Sequence, residues 1–152
     1  MYSKEEAKQI RVEFWEQFRD FTNRRRKNKG RTGKWILDKT GINALNLKFH
    51  FDKNEAIVGI DIETRNMERR LEMYEKLEGL RNQVNQALGE KTRWELEYVR
   101  ENNKPISRVF VSIQDVSIFD RSTWNRVNMF FFDRMTALED VFNEYRDYLR
   151  YG

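Results

Sequence analysis

Cysteine is absent from the 152 residues, which excludes disulfides, thiolate nucleophiles and cysteine-ligated zinc or iron–sulfur centres. Histidine occurs once, at His50, so a multi-histidine metal site is excluded as well; no nucleophile stands near it to be activated, and it reads as an exposed strand residue. Proline also occurs once, at Pro105, in a polar turn where its missing N–H costs least. No apolar run approaches the roughly 20 residues needed to span a bilayer. The opening Met1-Tyr2-Ser3-Lys4-Glu5-Glu6 lacks the apolar centre of a signal peptide. The expectation from these absences is a cytoplasmic protein with no membrane partner and no cofactor.

What is present is periodic. Aromatic residues make up 14% of the chain, enough to build a core from large side chains. A single domain over residues 1–152 buries about 70% of the surface its unfolded chain would expose. Ser3 and Glu6 form a capping box ahead of Ala7, Ile10, Phe14, Phe18 and Phe21, the apolar stripe of a first helix that ends near Thr22. Leu45, Leu47, Phe49 and Phe51, then Ala56, Val58, Ile60 and Ile62, alternate with polar residues on either side of the turn Asp52-Lys53-Asn54-Glu55, which predicts a hairpin with one buried face. A second helix is predicted over 66–88, with Met67, Leu71, Tyr74, Leu77, Leu80, Val84 and Ala87 inward and Gly89 as its cap. Trp94, Leu96 and Tyr98, then Val109, Val111 and Ile113, predict a second hairpin. A last helix begins at 120–122 and carries Trp124, Val127, Phe131, Met135, Leu138, Val141, Tyr145 and Tyr148 inward. The order is helix, hairpin, helix, hairpin, helix. It predicts an α+β fold: a four-stranded, mainly antiparallel sheet with three helices on one face.

Charge is unevenly placed. The chain has 29 Lys+Arg against 25 Asp+Glu, a net of +4. Seven of the eleven residues Arg24-Arg25-Arg26-Lys27-Asn28-Lys29-Gly30-Arg31-Thr32-Gly33-Lys34 are basic and none is acidic; the rest of the chain holds 22 basic and 25 acidic residues. Such a segment attracts polyanions, because bound phosphates release condensed counterions. Gly30-Arg31-Thr32-Gly33-Lys34 is not a phosphate loop: two residues rather than four separate the glycines, Trp35 follows the lysine, and a helix precedes it. The run is expected to start as a helix tail and continue as a loop. The candidate binding residues are Arg24, Arg25, Arg26, Lys27, Lys29, Arg31 and Lys34, with Trp35 to stack on a base or pack at the loop's root.

A second constellation lies on the sheet face turned away from the helices, where the alternation places Lys48, His50, Asp61, Glu63, Glu95, Glu97 and Arg108. Asp61, Glu63, Glu95 and Lys48, if they converge, have the composition of a divalent-metal nuclease site. No lysine follows Asp61-Ile62-Glu63 at the spacing such sites use, and cross-strand ion pairing is the preferred reading. Phe130-Phe131-Phe132 cannot all face one side of a helix, since neighbours lie about 100° apart. Burial between the sheet and another helix is the expectation, a homodimer interface the alternative.

Tyr2-Ser3-Lys4-Glu5-Glu6-Ala7 leading to Phe14-Trp15, Lys39-Thr40-Gly41-Ile42 before the first hairpin, Trp94-Glu95 opening the second and Trp124 early in the last helix are a connected set. In these the chain resembles an uncharacterised family of small bacterial domains of unknown function, found alone or C-terminal to restriction-nuclease-like modules. The resemblance implies a nucleic-acid or defence-related setting and no catalytic residues. The basic run is not among the motifs that carry it.

The leading functional expectation is a non-enzymatic module that binds nucleic acid or another polyanion through residues 24–34. The alternatives are a protein-interaction or homodimerisation module, and a divalent-metal nuclease built on Asp61, Glu63, Glu95 and Lys48.

Overall fold

The computed structural model describes residues 2–30, 34–100 and 102–152. Helix α1 (Lys4–Asn28) is followed by strands β1 (Leu45–Phe51) and β2 (Glu55–Ile62), helices α2 (Met67–Glu78) and α3 (Arg81–Leu88), and strands β3 (Arg93–Val99) and β4 (Pro105–Gln114). A short 3₁₀ turn at Arg121–Thr123 then leads into α4 (Trp124–Tyr151). The strands form one antiparallel sheet in the order β1-β2-β4-β3, so each predicted hairpin is a sheet neighbour pair and β1 and β3 are the edges. The fold is α+β. Among the described residues no helix is long and apolar enough to cross a membrane.

The capping box starts α1 as its sequence dictates: the Ser3 hydroxyl accepts from the Glu6 N–H at 3.1 Å, and Glu6 accepts from the Ser3 N–H at 3.2 Å. The buried stripe of α1 does not end at Thr22. It runs Ile10, Phe14, Phe18, Thr22 and Arg26 at four-residue steps, so its last two inward positions are polar. Phe14, Phe18, Phe49 and Phe51 pack with Phe131 of α4 in one aromatic cluster between helices and sheet. Phe132 is buried too, edge-on to Phe21 and Trp35, while Phe130 is half-buried against Phe131. Two of the three aromatics are therefore buried within the chain and the third is half-buried.

Three expectations are corrected. The helix predicted over 66–88 is two helices, because Leu80 leaves helical geometry (φ −109°, ψ 20°) directly after Gly79. Glycine tolerates the close approach of α4 there: a Cβ at Gly79 would run into the Tyr148 hydroxyl, which donates to the Lys76 carbonyl at 3.1 Å. In α2 the inward positions are Arg70, Tyr74 and Leu77, whereas Met67 and Leu71 are exposed. Arg70 is buried because its guanidinium has partners, donating to the Pro105 carbonyl at 2.9 Å and to Glu97 at 2.7 Å. In the last turns of α4, Phe142 and Leu149 are buried, Val141 and Tyr145 are half-buried against the core, and Tyr148 is exposed; Phe142 follows Leu138 by four residues and Leu149 follows Phe142 by seven, one continuous inward face.

The sheet face away from the helices is not the open charged surface that alternation implies. Along β2 every residue from Ala56 to Ile62 is buried, on both faces. Gly59 leaves room for Phe110 across the β2–β4 pair, and Tyr98 packs edge-on to Phe110 with centroids 5.6 Å apart. Tyr98 reaches that face because a bulge between Glu95 and Tyr98 inserts one residue into β3, turning Tyr98 over from the side of Trp94 and Leu96. The Arg93 and Arg108 guanidinium groups cover the Phe110 and Tyr98 rings at 4.9 and 4.3 Å. The same bulge takes Glu97 off this face to pair with Arg70.

Candidate nucleic-acid interface

The basic run divides by helical phase. Residues Arg24 to Asn28 continue α1, and the helix ends at Lys29 before Gly30 turns the chain with φ +71°. Arg26 faces inward. Its guanidinium donates to Glu139 of α4 at 2.9 Å, approaches the Lys34 carbonyl at 3.4 Å and lies 4.1 Å above the Trp35 ring. The second Glu139 oxygen accepts from the Ile36 N–H at 2.8 Å. Arg26 thus joins α1, α4 and the segment 34–36: four-residue spacing from Thr22 turns it inward, where it is buried and also borders the groove described below. Trp35 packs at the loop's root, edge-on to Phe49 and Phe132.

The remaining cations go to two sides. Arg25 lies over the Phe21 and Phe132 rings at 4.6 and 5.8 Å, Lys29 over Phe132 at 5.3 Å, and Arg24 is exposed; none of the three borders the groove described next. Arg31 is outside the described residues. Lys27 and Lys34 border a groove of about 1140 Å³ between α1, the segment 34–39 and edge strand β1. Three further cations from outside the basic run border it: Arg19, about two helical turns before Lys27, Lys39 after the loop, and Lys48 on β1. Asp38 is the one acidic residue of its lining, and Trp15, Phe18, Trp35, Leu47 and Phe49 form an apolar floor. The Leu47 N–H donates to the Leu37 carbonyl at 3.0 Å, which fastens the segment to the strand.

Two polar atoms in the groove's wall have no partner among the described residues: the Thr22 hydroxyl and the Trp35 indole N–H. Thr22 is 3% exposed. Buried donors and acceptors are paired in the large majority of cases; among the described residues Arg70, Glu95, Arg100 and Thr136 also hold an unpartnered buried atom.

The carboxylates of the other constellation are held by arginines. Both oxygens of Asp61, a residue 1% exposed, accept from Arg108 at 2.7 and 2.9 Å. In register Arg108 stands between Asp61 and Glu95, and Glu95 accepts from Arg93 at 2.9 Å. Glu63 accepts from Asn46 and, at 2.6 Å, from Arg100, with Lys48 at 3.9 Å. Burial favours the neutral form of Arg108, but the hydrogen bonds and charge of Asp61 outweigh it and raise its pKa. Among the described residues no three metal-ligating side chains form a group. His50 is exposed and bonded to Asp52 at 2.8 Å.

Sheet, helix layer and groove define an α+β domain with an aromatic-floored cleft under a cationic rim. The chain belongs to the family described as Domain of unknown function (DUF4268), which matches residues 10–146. No curated protein and no solved structure matches it. The motifs that carry the family resemblance are structural. Thr40, buried, donates to the Leu45 carbonyl at 2.8 Å and accepts from the Ile42 N–H at 3.1 Å. Trp94 donates to Asn85 and Trp124 to the Ile118 carbonyl, each at 2.9 Å.

Proposed function

We propose that this chain is a non-enzymatic module that binds nucleic acid through the groove between α1 and β1. The observation that carries it is the convergence of Arg19, Lys27, Lys34, Lys39 and Lys48 around one cavity in which, among the described residues, Asp38 is the only acidic lining residue. Asp38 and, 3.9 Å from Lys48, Glu63 offset part of that charge; the cations in excess focus a positive potential, and a cleft with low-dielectric walls strengthens it. The aromatic floor adds what a plain phosphate site lacks, a surface for bases. The resemblance to small bacterial domains that occur alone or behind restriction-nuclease-like modules supports a nucleic-acid setting.

Binding of a labelled single-stranded oligonucleotide, followed by anisotropy across a salt series, tests this function. Five phosphate contacts on a single strand predict a loss of about a hundredfold between about 50 and 200 mM salt. A loss of only a few-fold, or no binding at the lower salt, overturns it.

A further inference from the structure

Within this nucleic-acid reading, on which the inference rests, we propose that the groove is a base pocket: it takes an unpaired nucleobase onto its floor and so selects single strands over duplex. The rim and the floor differ in chemistry. Arg19, Lys27, Lys34 and Lys39 are exposed, where they meet phosphates, while Trp15, Trp35 and Phe49 are half-buried below them. A duplex presents phosphates outward and hides its base faces in the stack, so it engages the rim alone. A single strand presents both and fills both layers.

Thr22 and Trp35, which border the groove, each hold a buried polar atom without a partner, and a base edge that reached them would supply one. An indole N–H only donates; a hydroxyl donates and accepts. Every nucleobase edge carries acceptors, and those of adenine, cytosine and guanine carry amino donors too. A phosphate-only site gives these two atoms nothing to do, since the exposed cations already serve the anion. The volume, about 1140 Å³, exceeds the roughly 300–1,000 Å³ of common small-molecule pockets and suits a short run of nucleotides better than a single free one.

The test compares four probes at 50 mM salt: a twelve-nucleotide single strand, an abasic strand of the same length, a duplex of the same sequence, and heparin. The base-bearing single strand is expected to bind at least about tenfold tighter than the abasic strand and the duplex, because stacking on an aromatic floor is the added interaction. It is also expected to quench tryptophan emission, which the abasic strand does not. Thr22→Val keeps the shape and removes the hydroxyl; Trp35→Phe keeps an aromatic face but removes the N–H together with the second ring. Each is expected to lower the preference for the base-bearing strand several-fold while leaving heparin affinity unchanged, with the circular-dichroism melt recorded to show that the variant is folded at the assay temperature. Equal binding of base-bearing and abasic strands, with salt-dependent heparin binding intact, overturns the base pocket and leaves the polyanion site standing. Binding of none of the four overturns both.

Discussion

Arg26 and Glu139, 113 positions apart in the chain, meet at 2.9 Å with both side chains buried. Their pairing is what turns a run of cations into a wall with a defined groove. Arg26 closes the end of α1 against α4, and the other Glu139 oxygen holds the Ile36 N–H, so the segment carrying Lys34 and Trp35 is fixed from both sides.

Removing one partner leaves the other charge buried, which costs about 3–5 kcal/mol. Glu139→Ala is therefore expected to lower unfolding free energy by about 3 kcal/mol in urea titrations. The double variant Arg26→Met/Glu139→Leu is expected to recover most of that loss, since apolar replacements of similar volume relieve the desolvation of both charges. A single variant within 1 kcal/mol of wild type contradicts the structural role of the pair.

The division of the basic run by helical phase gives a second prediction. Lys27→Ala/Lys34→Ala removes two rim charges and is expected to weaken single-strand binding about tenfold and to reduce the salt slope by about 1.4. Arg24→Ala/Arg25→Ala, off the groove, is expected to change affinity less than about threefold. Equal effects of the two pairs mean that the exposed helix tail, not the groove, is the contact.

Gly59 sits where β2 passes beneath Phe110. A Cβ there would overlap both the Phe110 Cβ and the Val109 carbonyl, and the second is backbone that cannot turn away. Gly59→Ala is expected to destabilise by about 3 kcal/mol, a fall of about 10 °C in Tm for a chain of this size. Adding Phe110→Ala is expected to leave the melt at least as low, because the carbonyl clash remains. Thermal denaturation of the two variants decides it.

Asp61 and Arg108 make a prediction about metals. With both carboxylate oxygens held by the guanidinium, millimolar Mg²⁺ or Mn²⁺ is expected to leave Tm within about 1 °C of the metal-free value, whereas a ligand of the folded state raises it. Asp61→Ala is expected to cost about 3 kcal/mol with or without the metal. A metal-dependent rise in Tm that vanishes in this variant contradicts the ion-pair assignment.

Asp52 gives the pH dependence. Burial works to raise its pKa, but the hydrogen bond from His50 and the backbone N–H groups of Asn54 and Glu55 together lower it below the ordinary 3.8. A carboxylate with a depressed folded pKa contributes stability that is full above its unfolded value and lost as pH falls through the folded one. Wild type and Asp52→Asn are thus expected to differ most near neutrality and to converge below pH 3.8, in melts recorded from pH 7 to pH 2.

The parts legible in the amino-acid order are those that depend on near neighbours. Ser3 and Glu6 are three residues apart, and the capping box between them needs nothing else. Leu47, Phe49, Val58 and Ile60 alternate within their own strands, and Asp52 lies in the turn itself, so the first hairpin follows from a dozen residues. The Phe131–Phe132 burial followed from the angle between adjacent helical residues.

Tertiary structure decided the rest, because it depends on which surfaces meet. Arg26 reads as one of seven cations until Glu139, on a helix at the other end of the chain, gives it a partner and makes burial cheaper than exposure. Arg70 displaces Leu71 from the inward face of α2 for the same reason, through Glu97 and the Pro105 carbonyl. One inserted residue in β3 turns Tyr98 to the opposite face and closes a surface that alternation leaves open. Arg19, Lys39 and Lys48 belong to three different elements, and only the lie of α1 along the edge strand brings them to the rim beside Lys27 and Lys34. Periodicity within a segment is local and survives in the sequence; convergence of charges across segments is a property of packing.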